Sequence, residues 1–485
     1  MQITAWDCAY WTSGPQAPWW LIPILVLVFF SPLILNWAEN VYLASVCLPS
    51  QTIPAMHVAA VYSYETAVRP YDAAVGVAKE QSAYVFGGGS AARNRDLYER
   101  HAAKVLHVGI DEIRYFPGLP RYTTAAPVFD RRYNGWPCQR GQFTLAFPEA
   151  NFDGDVVQLL NSLIGEPHHS AWVSRIKLLD IQATDAYLAR SFTGPRFGVS
   201  GIRNLLDVRN RPLFCGPVKP SVGCAPAEFA KQAYRAWIGG VDIVKDDELL
   251  GNPAYCPLAK RLPLVIQARN RAQDETGERK LFVAHVSGQD IERNAELAVR
   301  HGADGLMVCP FLVGWQWLPK LTAYGRPVFS HNAGLTTTSR EPDFGVDFPL
   351  WCKLSRWLGA DVVIMPSPAG SFVMSPRECK EATKRCLKDG LFRPSFPAYA
   401  GSKTAAHLPM FTEMVRSTDY MMIVGAALFE HPLGVEAGAR ALRQGWDSLA
   451  LNADMVEYAH AHPELHQALA QIGLHVWHLH DFETA

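Results

Sequence analysis

From residue 212 onwards, short apolar runs alternate with helix-like segments, and this alternation limits the folds open to the chain. The segments between the runs keep the helical period and end near glycine, as "APAEFAKQAYRAWIGG" does. Such units build either a doubly wound sheet or a closed barrel, and a count of eight favours a (β/α)8 TIM barrel. The eight runs are "LFCGPVKP", "VDIVKDDE", "LFVAHVSG", "LMVCPFLVG", "PVFSHNAG", "ADVVIMPSP", "FPAYAGS" and "YMMIVGAAL".

The sequence before the barrel has a mixed texture. Strand-like runs are "VYLASVCLPS", "SAYVFGG", "KVLHVGI" and "QFTLAFP", and helix-like stretches cover Tyr71–Ser82 and Asp155–Ile164. This mixture predicts a smaller, ferredoxin-like α+β domain. We therefore expect an extension over residues 1–40, an α+β domain over 41–175, a connecting segment over 176–211, the barrel over 212–450 and a helical tail over 451–485.

Composition narrows the class of protein. Charged residues are 19% of the chain, the net charge is −1 and the basic residues are scattered, so nothing favours a nucleic-acid partner. Ten cysteines contain no C-x-x-C pair, which is typical of reduced thiols rather than a disulfide framework. A cytoplasmic enzyme is the expectation.

The first 40 residues argue for a different location. The segment Pro18–Trp37 carries no charge, and none occurs between Asp7 and Glu39. Its length suits a bilayer span. It lacks the basic start of a signal peptide, however, and Pro23 and Pro32 would interrupt a helix. A membrane anchor, a buried or interfacial arm and an extension from a misplaced start all remain open.

A lysine and three carboxylates follow the second apolar run, in "GGVDIVKDDE". One interpretation is a solvated charge run. The other is a site for Mg²⁺, which prefers carboxylate oxygens. Alternation along a strand puts Lys245 and Asp247 on one side, where Glu248 can join them from the turn. The ammonium of Lys245 would repel a cation unless CO2 carbamylates it.

These residues resemble the metal-site strand of the ribulose-bisphosphate carboxylase large chain superfamily. The resemblance spans roughly residues 41–450 and extends through "AKEQSA", "FTLAFPEANF", Leu178–Gly223, "HLPMFTEM" and "HPLGVEAGA". It implies that Lys245 is carbamylated by CO2 and that this carbamate, Asp247 and Glu248 bind one Mg²⁺ per subunit. It also implies that Lys219 moves protons at the substrate and that His331 lies near the metal and the substrate oxygens.

Within the barrel, the chain departs from the carboxylases at four positions. Ser221 stands for a second lysine, and Asn332 and Ile364 stand for an arginine and a histidine that bind the second phosphate. Ser371 stands for the lysine of the sixth loop that holds CO2. Without that cation a developing carboxylate loses strong stabilisation. "PSPAGS" instead resembles the loop of RuBisCO-like proteins, the non-carboxylating branch.

The residues that match the first phosphate site of the carboxylases agree better with the family than those of the second. Small residues follow the seventh and eighth strands, and they are either a phosphate site or merely tight turns. As a phosphate site they imply a monophosphorylated, ketose-like substrate. The residues are Gly401, Ser402, Gly425 and Ala426.

Three further positions carry weaker expectations. Glu80 and Glu166 match positions that reach the active site of a partner subunit, which implies a homodimer. Glu166 fits neither the asparagine of the carboxylases nor the lysine of the methionine-salvage enolases. His285 is either a substrate contact or a core histidine. Histidines of the tail suit exposed helices better than a soft-metal site.

The expected function is Mg²⁺-assisted enolisation of a phosphorylated ketose-like or sugar-acid substrate. The outcome would be tautomerisation, isomerisation or decarboxylation, among which the sequence does not choose. Two alternatives stay open: a true ribulose-bisphosphate carboxylase, and a non-catalytic scaffold or regulatory protein, with or without membrane attachment.

Overall fold

The structure is a computed structural model that describes residues 47–83, 95–114, 138–372 and 374–482. The chain divides into two compact units, Met1–Asn151 with Ser162–Gln182 and Phe152–Asn161 with Ala183–Ala485. The domain boundaries proposed from the sequence stay a prediction. The apolar segment Pro18–Trp37 and most of the runs "VYLASVCLPS" and "SAYVFGG" lie outside the described residues.

Strands and helices alternate along most of the described chain. The strands are β1 His57–Thr66, β2 Lys104–Arg114, β3 Cys138–Pro148, β4 Arg175–Gln182, β5 Leu213–Pro217, β6 Ile243–Lys245, β7 Leu281–His285, β8 Gly305–Val308, β9 Val328–Ser330, β10 Gly345–Val346, β11 Val362–Met365, β12 Phe396–Tyr399 and β13 Met421–Ile423. The helices before the barrel are α1 Pro70–Glu80, α2 Arg95–His101, α3 Val156–Ile164, α4 Asp185–Ser191 and α5 Gly198–Leu206. Those that follow are α6 Pro226–Ile238, α7 Leu258–Thr276, α8 Ile291–Arg300, α9 Pro310–Val313, α10 Trp317–Thr322, α11 Thr336–Ser339, α12 Phe348–Trp357, α13 Pro376–Leu387, α14 Leu408–Val415, α15 Ala426–Phe429, α16 Val435–Ala450, α17 Met455–Ala459 and α18 Pro463–Ala470.

In the N-terminal unit, β1 to β4 form an antiparallel sheet in the order β2-β3-β1-β4. Tyr62 of β1 lies opposite Phe143 of β3, and their ring centroids are 5.3 Å apart. The hydroxyl of the buried Tyr62 donates to the carbonyl of Leu163 at 2.8 Å, which satisfies its polar end. The predicted α+β domain is confirmed as a fold.

In the second unit, eight parallel strands close into a barrel in the order β5-β6-β7-β8-β9-β11-β12-β13. Each of the eight predicted runs contains one of these strands, so the predicted TIM barrel is confirmed. The runs are continuously apolar because side chains on both faces of a parallel barrel are covered. Its core contains Leu213, Cys215, Ile243, Leu281, Val283, Met307, Phe329, Val362, Ile364, Phe396, Ala398, Met421 and Ile423.

Two other expectations bear on location and redox state. The nine cysteines in the described part of the chain are free thiols, and eight of them are buried. Within the described ranges, no helix has both the length and the hydropathy needed to cross a membrane.

Candidate active site

Lys245 is the last residue of β6, and only 1% of it is exposed. Its ammonium donates to the carbonyl of Asp246 at 3.0 Å and lies 3.9 Å from Oε2 of Glu248. The strand ends here, so the residues that follow can turn their side chains in different directions. The lysine nitrogen therefore lies at the C-terminal end of the barrel, beside a carboxylate.

Asp246 turns away from that carboxylate and into the surrounding protein. Its Oδ2 accepts from Nη2 of Arg261 at 3.0 Å and from the backbone N–H of His285 at 3.0 Å. Both side chains of the Arg261–Asp246 pair are fully buried. Of the three neighbouring carboxylates, this one is part of the scaffold.

Asp247 faces the first strand of the barrel. Its Oδ2 accepts from Nζ of Lys219 at 2.7 Å and from Oγ of Ser221 at 3.1 Å. Lys219 also donates to Ser221 at 2.6 Å. Asp247 is 2% exposed whereas the side chain of Lys219 is 33% exposed, so the lysine is the member of this group that a small molecule can reach.

His331 follows β9 and completes the cluster. Its Nδ1 accepts the backbone N–H of Ala333 at 3.1 Å, so the proton of the neutral ring is on Nε2, which lies 3.3 Å from Oε2 of Glu248. Burial and the charge of Lys245 together lower the pKa of His331 more than the carboxylates of Glu248 and Asp247 raise it. Burial raises the pKa of Glu248, but the hydrogen bond from His331 and the charge of Lys245 outweigh this effect, and the net direction is down.

A cavity of about 220 Å³ joins these groups to the loops after β11, β12 and β13. Ser402 donates to Ser371 Oγ at 2.8 Å, which links the loop after β11 to the loop after β12. Gly401 has a φ of 88°, and a Cβ there would lie 2.8 Å from Phe372, so glycine fits this turn. The predicted site residues in the lining are Lys219, Lys245, Asp247, Glu248, His331, Ser371, Gly401, Ser402, Gly425 and Ala426.

A second cavity, of about 560 Å³, shares Glu248, His331 and Ser371 with the first. Asn332 lines both cavities, whereas Ile364 is fully buried in the barrel core. Neither side chain offers the positive charge that a second phosphate would need at these two positions.

Comparison with known proteins assigns the family. Residues 198–370 and 387–477, together more than half of the chain, match the family described as "Ribulose bisphosphate carboxylase large chain, catalytic domain". The chain belongs to this family. Ribulose bisphosphate carboxylase-like protein 2 from Rhodopseudomonas palustris is 34% identical over 418 residues, which cover 85% of this chain and 94% of that protein. The predicted family membership is confirmed.

Solved structures agree with this assignment. A RuBisCO-like protein from Burkholderia fungorum superimposes with a TM-score of 0.77 at 30% identity, over 86% of this chain and 99% of that chain. A dimeric archaeal RuBisCO from Hyperthermus butylicus gives a TM-score of 0.72 at 27% identity, over 89% of this chain and 99% of that chain. RuBisCO-like proteins and carboxylases therefore share this architecture.

Membership of the RuBisCO family implies Mg²⁺, and the donor set can be tested against that ion. Among the described residues, no three His, Cys, Asp or Glu side chains are grouped so that they could hold a metal. At the end of β6, the carboxylates that face the cavity are those of Asp247 and Glu248. Lys245 as an ammonium is a hydrogen-bond donor without a lone pair, so in that form it cannot bind a metal ion. The residues fit Mg²⁺ when Lys245 is carbamylated, because the carbamate supplies a third anionic oxygen ligand.

Of the other three predicted positions, His285 belongs to the barrel unit, and Glu80 and Glu166 belong to the N-terminal unit. His285 is 4% exposed, its Nε2 is 3.6 Å from Cys309 Sγ, and it lines neither cavity. Burial lowers the pKa of His285 to about 4, and the charge of Lys245 acts in the same direction. Glu80 ends α1, and Glu166 lies 3.3 Å from His169; both are exposed residues of the N-terminal unit. Their reach into a partner's site stays a prediction.

Sequence reasoning missed two buried charged groups near the site. Arg261 lies in α7, and its partnership with Asp246 spans 15 residues. Lys403 is fully buried beneath the loops after β11 and β12. A lysine after a small-residue turn looks in sequence like a surface residue, so "AGSKT" carried no signal.

Proposed function

We propose that the chain is a RuBisCO-like enzyme that uses Mg²⁺ to enolise a phosphorylated ketose-like or sugar-acid substrate and does not fix CO2. The observation that carries the proposal is that Lys219, Lys245, Asp247, Glu248 and His331 line one cavity that also reaches the loops after β11, β12 and β13. The outcome is tautomerisation, isomerisation or decarboxylation of the enediolate.

The metal half of the site is assigned to the end of β6. Lys245 as a carbamate, Asp247 and Glu248 would hold Mg²⁺, which when bound supplies a positive charge that polarises a substrate carbonyl or hydroxyl. Asp246 keeps these ligands in place by anchoring the chain between them to Arg261. Lys245 and Asp247 are only 1% and 2% exposed. Their burial supports a metal site over a solvated charge run.

Lys219 is the candidate proton carrier. Its partly exposed nitrogen lies 2.7 Å from Asp247 Oδ2, so as a neutral amine it would accept a proton next to the metal ligands. A lysine in this place can remove a proton from the carbon beside a polarised carbonyl and return it to a neighbouring carbon. His331 carries its proton on Nε2 and can donate that hydrogen bond to the oxygen on which negative charge develops.

The phosphate half of the site is assigned to the turns after β12 and β13. Gly401, Ser402, Gly425 and Ala426 line the same cavity as the proton carrier. Small residues let a phosphate approach their backbone N–H groups, as in other barrels. Asn332 and Ile364 supply no charge for a second phosphate, which favours a substrate with one phosphate.

The sixth loop argues against carboxylation. Ser371 lines the cavity with a hydroxyl, and this hydroxyl accepts from Ser402 at 2.8 Å. A carboxylate forming from CO2 would gain far less from that hydroxyl than from a lysine ammonium. The similarity to RuBisCO-like proteins, including the one from Rhodopseudomonas palustris, supports the same conclusion.

A homodimer with shared active sites accompanies this proposal. The exposed Glu80 and Glu166 are the candidate contributions to a partner's site. The similarity to the dimeric archaeal RuBisCO supports a dimer as the smallest assembly.

The test is solvent-deuterium exchange followed by NMR on a panel of phosphorylated ketoses and sugar-acid phosphates, with Mg²⁺ and bicarbonate present. Wild-type protein should exchange protons into at least one monophosphate, and Lys245→Ala should not. Lys280→Met is the control for removal of a buried lysine at the opposite end of the barrel, and it should retain exchange.

Two results would overturn the proposal. Incorporation of labelled CO2 into ribulose bisphosphate would show a carboxylase in spite of Ser371. Absence of exchange across the panel, together with failure to bind Mg²⁺ and CO2, would leave the non-catalytic scaffold as the function.

A further inference from the structure

Lys403 is a buried ammonium that the proposed chemistry does not yet use. It is fully buried, directly after the turn formed by Gly401 and Ser402. In the described part of the chain, no carboxylate forms an ion pair with it. An ammonium in such a place is costly unless carbonyls and an anion compensate it.

The nitrogen of Lys403 bonds to two carbonyls from different loops. It donates to the carbonyl of Gly401 at 2.7 Å in the loop after β12, and to the carbonyl of Ala369 in the loop after β11. Gly370 lies between them: a Cβ there would be 2.1 Å from the Gly401 oxygen and 2.7 Å from Lys403 Nζ. The lysine therefore holds two active-site loops together.

These two hydrogen bonds also fix the direction of two N–H groups. In a planar trans peptide, the C=O and the following N–H point in opposite directions. Because the carbonyls of Ala369 and Gly401 point at the lysine, the N–H groups of Gly370 and Ser402 point away from it. Within the described residues, neither N–H donates a hydrogen bond to another protein group.

Ser402 and Ser371, which follows Gly370, line the catalytic cavity, whereas Gly370 itself does not. The two serines hydrogen-bond to each other, and Gly401 lines the cavity with them. Backbone N–H groups that are free of protein acceptors at turns bind anions such as phosphate. The positive charge behind them adds to that preference.

We propose that Lys403 is a positioning residue for an oxyanion subsite. Its ammonium orients the peptide groups of Gly370 and Ser402 so that their N–H groups receive a phosphoryl-like dianion, and it balances the charge of that dianion from behind. The inference rests on the proposed function, because it takes the substrate to be phosphorylated. The carboxylases have a lysine where this chain has Ser371. In this chain, Lys403 would supply positive charge to the same part of the site.

The first experiment measures sulfate binding by calorimetry on the full chain, because sulfate is a dianion that does not itself titrate near neutral pH. Lys403→Met should weaken sulfate binding by about ten-fold or more, the change expected for loss of one well-placed charge. Lys280→Met is the matched control, because Lys280 is equally buried and bonds to Val241 O at 3.1 Å and to Glu278. It precedes β7 at the other end of the barrel and should leave sulfate binding unchanged.

A purely structural role for Lys403 would give a different result. Formation of the Lys245 carbamate, followed by labelled-bicarbonate NMR, should survive Lys403→Met because the two groups lie in separate halves of the site. Unchanged sulfate affinity in a folded Lys403→Met protein overturns the inference. If sulfate binding depends on Lys403 but the protein shows no enolising activity, the inference stands and the proposed function is wrong.

If Lys403→Met does not fold, the wild-type protein still gives the answer. Burial lowers the pKa of Lys403 to about 7. The titratable groups that face it keep their charge in the range used, since burial raises the pKa of Cys379 well above its ordinary value and lowers that of His407 to about 3. Sulfate affinity should fall by about ten-fold from pH 6 to pH 9 as Lys403 loses its proton. A flat profile overturns the inference.

Discussion

The buried pair of Arg261 and Asp246 offers a test of how the metal-site loop is anchored. We consider Arg261→Met, which keeps most of the side-chain volume and removes the charge. Asp246 would then remain fully buried with the His285 N–H, at 3.0 Å, as its remaining donor. Breaking such a pair from one side costs about 3–5 kcal/mol of unfolding free energy.

A second route to this magnitude uses protonation. A carboxylate that cannot stay ionised in the fold must take up a proton, and at pH 7 this costs about 4 kcal/mol relative to an ordinary aspartate pKa of about 3.9. Burial already raises the pKa of Asp246 in the presence of Arg261, and loss of the guanidinium raises it further, so the loss of stability grows with rising pH. We therefore expect the destabilisation at pH 5 to be smaller by about 2–3 kcal/mol than at pH 7.

The assay is urea unfolding followed by tryptophan fluorescence at both pH values. The control is Arg271→Met on the same helix, where the ion pair with Glu275 is 2.7 Å long but its side chains are 66% and 43% exposed. That variant should lose no more than about 0.5 kcal/mol. A loss below about 1 kcal/mol for Arg261→Met, or an equal loss at pH 5 and pH 7, would refute the anchoring role.

Three further predictions concern separate parts of the second unit. Lys245→Ala should remove the carbamate signal seen by NMR with labelled bicarbonate and weaken Mg²⁺ binding at least about 100-fold, because the third oxygen ligand is lost; an unchanged Mg²⁺ titration would contradict the ligand assignment. Trp351→Ala should lower the unfolding free energy in urea by about 3–5 kcal/mol, since the ring is 1% exposed and stacks on Trp315 at 4.8 Å; a loss under about 1 kcal/mol would count against it. Burial lowers the pKa of His407 to about 3, below its unfolded value, so its contribution to stability is lost as pH falls below about 6.5. His407→Gln should therefore reduce the slope of unfolding free energy against pH, between pH 6.5 and 5, by the amount that corresponds to uptake of about one proton. Equal slopes would disprove this pKa direction.

The barrel could be predicted because its evidence is local and repeated. Each of eight apolar runs contains a strand, and a parallel barrel covers both faces of every strand, so the pattern survives without tertiary information. The grouping of Lys245, Asp247 and Glu248 was predicted from strand alternation, although β6 ends at Lys245 and the carboxylates follow it. The described geometry agrees with that grouping.

The partners of the buried charges could not be predicted in this way. Arg261 belongs to a helix, and only the folded barrel brings its guanidinium to Asp246. Lys403 bonds to the carbonyl of Ala369, 34 residues earlier in the chain, through backbone atoms that leave no mark on side-chain identity. Hydrogen bonds to backbone carbonyls, and contacts between residues far apart in sequence, depend on tertiary packing. They leave no local pattern in a single sequence.

The opposite directions of Asp246 and Asp247 have a consequence for variation at these two adjacent positions. In a library of random variants sorted first for folded protein and then for turnover, substitutions of Asp246 should disappear at the first sort, whereas those of Asp247 should pass it and disappear at the second. Two adjacent positions after the end of β6 thus differ in kind: change at the first prevents folding, whereas change at the second gives a stable protein without activity, available for a new role.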